Sequence, residues 1–295
     1  MSKKTLLITG TSGFIGYNFL KYILTKNYYI IDILREKNKK NYKLKKLKKK
    51  YPKNYKSIFF SNNHQLERKI KKLKINYFIN FATLYKNNHV YNDIFNFIKS
   101  NILFPTLMYD LISQKATKVI NFGSMMQHKS SEKFESKNLY SATKNAFEMI
   151  SNFYSYKEKN TKFYNLKLYE SFGKNDNRKK LIPTIISNYK TKKTTIISSK
   201  NLELNIIHVN DIINALIILL NNNIKPGSYC LKNNKNIKIS KLIKNFNKNL
   251  KRKIKVKYLK KSVKKIPKSK IKKLPKWKPD NQIIKKIKLN FINEN

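Results

Sequence analysis

Tyr140 and Lys144 stand one helical turn apart in the run Tyr140-Ser141-Ala142-Thr143-Lys144. Residues four apart share a helix face. An ammonium beside a phenol stabilises phenolate and draws the phenol's pKa toward working pH. Such a phenol can give or take the proton of an alcohol while hydride moves to or from a nicotinamide. The lysine can also hydrogen-bond the nicotinamide ribose. In a chain with 19 Tyr and 66 Lys and Arg the spacing means nothing alone. Its position carries the weight, because it follows the fifth predicted strand by one loop. Ser124 follows that same strand, where a hydroxyl could bond the reacting oxygen; an ordinary turn serine is the alternative.

A second group of residues could hold the coenzyme. Thr9-Gly10-Thr11-Ser12-Gly13-Phe14-Ile15-Gly16 lies between the first predicted strand and the first predicted helix. Gly10 permits a tight turn. Gly13 lets a pyrophosphate approach the backbone at the helix N-terminus, where N–H groups and the dipole attract it. Gly16 lets the helix pack closely on the sheet. Three of the six glycines fall in this loop. NAD sites place an acid at the end of the second strand to bind the ribose hydroxyls. Asp32 lies two positions before that end, where Leu34 and Arg35 stand instead. Arg35 suits a 2′-phosphate, which favours NADP(H) with NAD as the alternative; one more surface cation is the plainer reading of Arg35.

These residues need a scaffold, and the hydrophobic pattern supplies one. Residues 5–9, 28–34, 57–60, 77–82, 118–122 and 163–169 read as strands. Residues 14–26, 66–74, 93–114 and 139–158 read as helices, the third interrupted near Pro105. Strand–helix alternation implies right-handed crossovers and a parallel sheet, an α/β doubly wound Rossmann-type fold. Beyond residue 170 the pattern loosens. Helices are expected at 181–189, 211–221 and 240–249, with short strands at 194–197, 206–209 and 256–258. The expected organisation is a dinucleotide-binding domain over 1–170 and a smaller, mainly substrate-binding lobe over 171–295, some of whose segments return to the main sheet. Residues 36–56 and 250–276 are Lys-rich and read as solvated loops or helix faces.

The chain has 295 residues and one cysteine, Cys230, so no intramolecular disulfide forms. The apolar run at residues 6–8 ends at once in Thr9-Gly10, unlike an export signal. Residues 212–220 are far short of the ~20 that span a bilayer. The expectation is a cytoplasmic protein without membrane insertion. No metal-ligand set stands out. The formal charge is +51. It admits a nucleic-acid binder, but the lysines run through nearly every segment and Lys, Asn, Ile, Tyr and Phe are abundant together. Compositional drift, with non-specific polyanion binding as a side effect, is the preferred reading.

On these motifs the chain resembles the extended short-chain dehydrogenases/reductases, the group of NAD-dependent sugar-nucleotide epimerases, dehydratases and reductases. The resemblance runs nearly end to end. It takes in the glycine loop, Asn80-Phe81-Ala82, Asn101 in Ser100-Asn101-Ile102-Leu103-Phe104-Pro105-Thr106, the Tyr-Lys pair, Val209-Asn210-Asp211 and Trp277-Lys278-Pro279. A narrower likeness lies in residues 123–128, 138–148 and 166–178. These resemble the nucleotide 4-keto-6-deoxyhexose reductases of the CDP-abequose synthase type, which use NADPH in surface-polysaccharide synthesis.

The resemblance implies roles. Tyr140 would protonate the emerging C4 alkoxide, Lys144 would keep Tyr140 acidic, and Ser124 would polarise the ketone. Thr11, Ser12, Phe14, Ile15, Asn62, Phe81 and Ala82 would join the three glycines and Arg35 around the coenzyme. Thr83, Gln127 and Arg178 would meet the nucleotide sugar. His128 would face it too, or serve structurally. A homodimer through the helices at 93–114 and 139–158 is the family habit. Two departures stand out. Met125 occupies the place where many relatives carry the hydroxyl. Leu204 stands near the place where epimerases often carry an arginine. A nucleotide-sugar epimerase with tightly bound NAD remains the enzymatic alternative, and a nucleic-acid binder on an inactive Rossmann fold is the more remote one.

Overall fold

The computed structural model describes residues 3–128, 135–248, 250–261 and 270–280, together with 282, 285 and 287. The chain divides into two compact units. The first comprises residues 1–167, 219–230 and 269–272. The second comprises 168–218, 231–268 and 273–295.

In the first unit, β1 (Lys4–Thr9) runs into α1 (Phe14–Ile23) and then β2 (Tyr28–Arg35). A 3₁₀ turn at Glu36–Lys40 and α2 (Tyr42–Lys50) precede β3 (Tyr55–Phe60). Leu44 and Leu47 anchor α2 while its lysines stay outside, so residues 42–50 of the Lys-rich tract form a solvated helix face, whereas its end enters β3 with Tyr55 buried. Then come α3 (Asn63–Lys71) and β4 (Tyr77–Asn80). Next is one long helical run, α4 (Ile94–Ile98), a π-helical stretch at Lys99–Leu103 and α5 (Phe104–Ile112). The interruption expected near Pro105 takes the form of this π segment, which ends just before the proline. The remaining elements are β5 (Lys118–Ser124), α6 (Leu139–Lys157) and β6 (Lys162–Leu168).

Among the described residues the strands form a seven-stranded sheet, ordered with β6, β5, β4, β1, β2 and β3 side by side. The β1–β2, β2–β3, β1–β4 and β4–β5 pairs are parallel. Leu6, Leu7 and Ile8 are buried without alternation, as expected for a strand covered by helices on both faces. One face packs Phe78, Tyr109, Phe147, Tyr154 and Phe163 into a continuous core. The strand order reverses between β1 and β4. In doubly wound sheets ligands bind outside the carboxyl ends of the strands at such a switch point.

The second unit contains β7 (Glu170–Phe172), α7 (Leu181–Lys190), β8 (Thr195–Ile197), β9 (Glu203–Leu204) and β10 (Ile206–His208). The helix α8 (Val209–Asn221) follows and leads out of this unit. The edge strand of the main sheet, β11 (Gly227–Leu231), lies beside β6. Its Gly-Ser start hid it from periodicity. The last elements are β12 (Ile237–Lys238), α9 (Ile239–Asn247) and β13 (Val256–Tyr258), which pairs with β8. Within this unit Trp277 Nε1 donates to the Asp211 carbonyl at 2.8 Å, tying two of the sequence motifs together. The part of the second Lys-rich tract at 262–269 lies outside the described residues.

Candidate active site

Gly10 has φ +73°, the left-handed region that favours glycine. A Cβ there would sit 2.4 Å from the Ala82 nitrogen and 2.5 Å from the Phe81 carbonyl carbon. A Cβ on Gly16 would lie 2.5 Å from the Gly10 oxygen. The loop after β1 therefore closes against the loop after β4 and against the first turn of α1. Gly13 is the N-cap of α1, and no side chain caps that end. First-turn N–H groups have no partner within a helix, and the dipole there favours an anion. This narrow, uncapped cradle at the switch point fits the pyrophosphate of a dinucleotide.

The other expected coenzyme residues divide by what they offer. Ser12 and Gly13 are exposed and Phe14 and Ile15 half-buried. Phe81 packs its ring against Phe19 and Phe122, with centroids 5.3 and 5.1 Å away, while its main chain lies against Gly10. Ala82 is half-buried beside it, its N–H bonded to Asn80 Oδ1. Asn62 caps α3, accepting the Gln65 N–H at 3.0 Å. Arg35 is exposed at the end of β2, and Leu34 before it is buried. Asp32 is completely buried and takes its hydrogen bonds from Thr11 and Tyr55. The acid of the second strand is thus sealed inside the fold. Glu36, just past the strand, pairs with Lys39 at 2.5 Å.

Ser124 ends β5, and its Oγ accepts the Met126 N–H at 3.2 Å. Met125 is buried and offers no hydroxyl. Tyr140 is the second residue of α6, whose first turn is closed by Asn138 accepting the Ser141 N–H at 3.0 Å. Its half-buried ring meets Tyr85 edge-on at 4.9 Å. Lys144, one turn on, is buried. Burial pulls its pKa down to about 8, while Glu148, a further turn along, draws it back up.

Asn101 holds this region together from the π-helical stretch. Its Oδ1 accepts from the Leu84 N–H at 2.7 Å and from Thr83 Oγ1 at 3.1 Å. Its Nδ2 donates to the Leu84 carbonyl and to Thr143 Oγ1, both at 3.0 Å. One carboxamide therefore clamps the loop after β4 to the turn of α6 between Tyr140 and Lys144. π-bulges recur at functional sites, and here Asn101 is the buried residue of the π-helical stretch. Thr83 is exposed beside this clamp.

Two expected substrate residues are engaged otherwise. Gln127 is fully buried. Its Oε1 accepts the Ser124 N–H at 2.6 Å, and its Nε2 donates to Asn145 Oδ1 and Glu148 Oε2, both at 2.7 Å. Its carboxamide thus engages Ser124, Asn145 and Glu148. His128 sits with Nε2 2.8 Å from Lys167 Nζ, in keeping with the structural alternative. Arg178 belongs to the second unit and makes a two-pronged contact with Asp176, both bonds at 2.7 Å, plus one to the Ser171 carbonyl at 2.8 Å. The glycine loop meets Phe81-Ala82 at the ends of β1 and β4, Ser124 ends the adjacent β5, and Asn101 ties Thr83 to the turn of α6 that carries Tyr140 and Lys144.

Sequence reasoning missed the pair beneath them. Lys167 Nζ lies 2.9 Å from Glu148 Oε2, both buried. Ser228 Oγ donates to the other carboxylate oxygen at 3.0 Å. The signal was a lysine inside an otherwise buried strand, with an acid one turn past Lys144. A polar ladder was also missed: Thr9 donates to Asn80, and Asn80 to Asn121, across three adjacent strands.

A parallel sheet with a glycine cradle at its switch point and a Tyr-Lys helix beside it defines a dinucleotide-dependent enzyme of the Rossmann class. Residues 6–231 match the NAD dependent epimerase/dehydratase family, and the chain belongs to that family. It is 27% identical over 217 residues to a CDP-abequose synthase of Yersinia pseudotuberculosis, covering 73% of this chain and 72% of that one. It is 24% identical over 228 residues to the CDP-abequose synthase of Salmonella muenchen, covering 77% and 73%. Its fold is similar to that of a UDP-glucuronic acid 4-epimerase from Bacillus cereus, with a TM-score of 0.80 at 14% identity over 97% of this chain and 98% of that one. A dTDP-glucose 4,6-dehydratase from Bacillus anthracis gives 0.78 at 18% identity over 98% and 95%. Among the described residues no helix is long and apolar enough to cross a membrane.

Proposed function

We propose that this chain uses NADPH to reduce the C4 ketone of a nucleotide-linked 4-keto-6-deoxyhexose, within polysaccharide sugar synthesis in the cytoplasm. The observation that carries the reading is the end of β2, where Asp32 is sealed away and Arg35 is exposed. A guanidinium suits a 2′-phosphate, and a coenzyme spent in each turnover suits a net reduction. The likeness to the CDP-abequose synthases supports the substrate class. Met125 and Met126 stand beside Ser124 where a dehydratase needs acids to expel water.

A bound nicotinamide would supply the hydride. Tyr140 delivers a proton to the ketone oxygen as charge develops there. Lys144, one helical turn from Tyr140, would hold an ammonium beside the phenol and bond the ribose of the bound coenzyme. Ser124 accepts the Met126 N–H and keeps its own proton for the ketone. Asn101 fixes the turn of α6 that carries the pair. The basic surface raises the local concentration of a diphosphate substrate.

The test is to incubate purified protein with NADPH or NADH and a CDP- or dTDP-linked 4-keto-6-deoxyhexose and follow coenzyme oxidation. Consumption with a preference for NADPH is expected. No consumption with either sugar nucleotide, and NAD released on denaturation, would instead establish an epimerase.

We also propose a homodimer. Tyr91 in the 3₁₀ turn Tyr91–Asp93 that leads into α4, Phe95 on α4, and Met149, Phe153 and Tyr156 on α6 are all more than half exposed. Their spacings of three and four residues make apolar stripes, and exposed stripes of this kind mark interaction faces. Light scattering should give twice the 35.1 kDa chain mass; a single-chain mass at micromolar concentration would refute the pairing.

A further inference from the structure

Asp32 is the one acid of β2, and nothing in the proposed reaction uses it. Its position under the glycine loop is unusual. Oδ2 accepts two hydroxyl protons, from Thr11 at 2.5 Å and from Tyr55 at 2.7 Å. Oδ1 is buried and, among the described residues, has no hydrogen-bond partner. Thr11 directly follows Gly10 and is itself completely buried. One carboxyl therefore ties the loop that receives the phosphates to β2 and, through Tyr55, to β3.

We infer that Asp32 is a positioning residue for the dinucleotide: it holds the glycine loop through Thr11, and the proton it carries is linked to the loop's affinity for phosphates. The inference rests on the reading of this loop as the coenzyme site.

The physical case has two parts. A buried carboxylate needs several donors to stay charged. Here two neutral hydroxyls share one oxygen, and the other oxygen has none. Burial pushes the carboxyl up to about 7, with Thr11 and Tyr55 pulling it part of the way back. The titratable group facing it is Tyr55 from β3. From the neighbouring strands Ile8 and Ser57 stand opposite it, and no lysine or arginine among the described residues acts on it. The second part is the ligand. A pyrophosphate brings negative charge to the same loop, so it binds better when Asp32 is neutral. Binding therefore takes up a proton, and affinity falls as pH rises through about 7.

The probe is NADH, whose phosphodiester charges do not titrate near neutrality. Its dissociation constant is measured by fluorescence from about pH 6 to about pH 9 at fixed ionic strength, for the native protein and Asp32→Asn. On the order of tenfold weakening is expected for the native protein, the equivalent of one pKa unit of coupling. Asp32→Asn should lose that component, leaving only the slope contributed by groups common to both proteins, Lys144 among them. Thr11→Val, which removes a donor to the charged form, should move the native slope to higher pH. If Asp32→Asn does not fold, the Thr11→Val displacement decides the matter. Equal slopes in native and Asp32→Asn protein, or an unmoved slope in Thr11→Val, overturn the inference while leaving coenzyme binding established. Native protein that binds neither NADH nor NADPH overturns the coenzyme reading and this inference together.

Discussion

Tyr140→Phe is expected to lower turnover by about 10²–10⁴-fold, the range for loss of a positioned general acid, with little change in the affinity for coenzyme. The ring stays, and with it the edge-on contact to Tyr85; only the proton donor goes. The pH profile adds an independent check. Burial holds Lys144 down to about 8 and Glu148 raises it in part. The lysine is charged below that value and loses its charge as pH rises through it. Turnover of the native enzyme should therefore decline on the alkaline side of about pH 8. Pre-steady-state measurement of hydride transfer reports the chemical step directly. A Phe variant within a few-fold of the native rate would exclude Tyr140 as the proton donor.

Lys167→Met is expected to be the most damaging change to stability. Lys167 Nζ lies 2.9 Å from Glu148 Oε2 with both side chains buried. Removing one member of a buried ion pair leaves the other charged and uncompensated, at a cost of about 3–5 kcal/mol. For a chain of this size that lowers the melting temperature by on the order of 10 °C. Adding Glu148→Gln should restore much of the loss. The amide oxygen can still accept from Gln127 or Ser228, which donate to Glu148 at 2.7 and 3.0 Å, and no charge is stranded. Thermal unfolding of the two single variants and the double variant gives the coupling directly. Additive losses would show that the pair is not a unit. The effect also reaches the site, because Glu148 acts on Lys144 and Gln127 carries the Ser124 N–H.

Local pattern made much of this legible. The glycine loop announced itself because a tight turn, a close backbone approach and a close-packed helix each demand glycine at one position. Strands β1, β2 and β4 were visible as short apolar runs. Tyr140 and Lys144 could be paired because helical spacing is a local property. The three hydrogen bonds of Gln127 were not legible, because packing and not sequence neighbourhood brings Asn145 and Glu148 to it. Nor was it legible that the Arg178 guanidinium is held by Asp176, two residues away, and by the Ser171 carbonyl. In a chain with 66 basic residues, composition also hid which lysine lies inside. Lys167 differs from its neighbours by the strand around it, not by its type.

From the order of residues alone follow the class of fold, the glycine loop between β1 and α1, and the helical spacing of Tyr140 and Lys144. Each depends on interactions within a few residues or on a repeat of fixed period. Tertiary structure alone decided which polar groups partner one another. Asp32 meets Thr11 and Tyr55 across 21 and 23 residues, and Asn101 meets Thr143 across 42. Those partners are chosen by sheet order and helix packing. Burial then sets the charge of each group, and no periodicity encodes that.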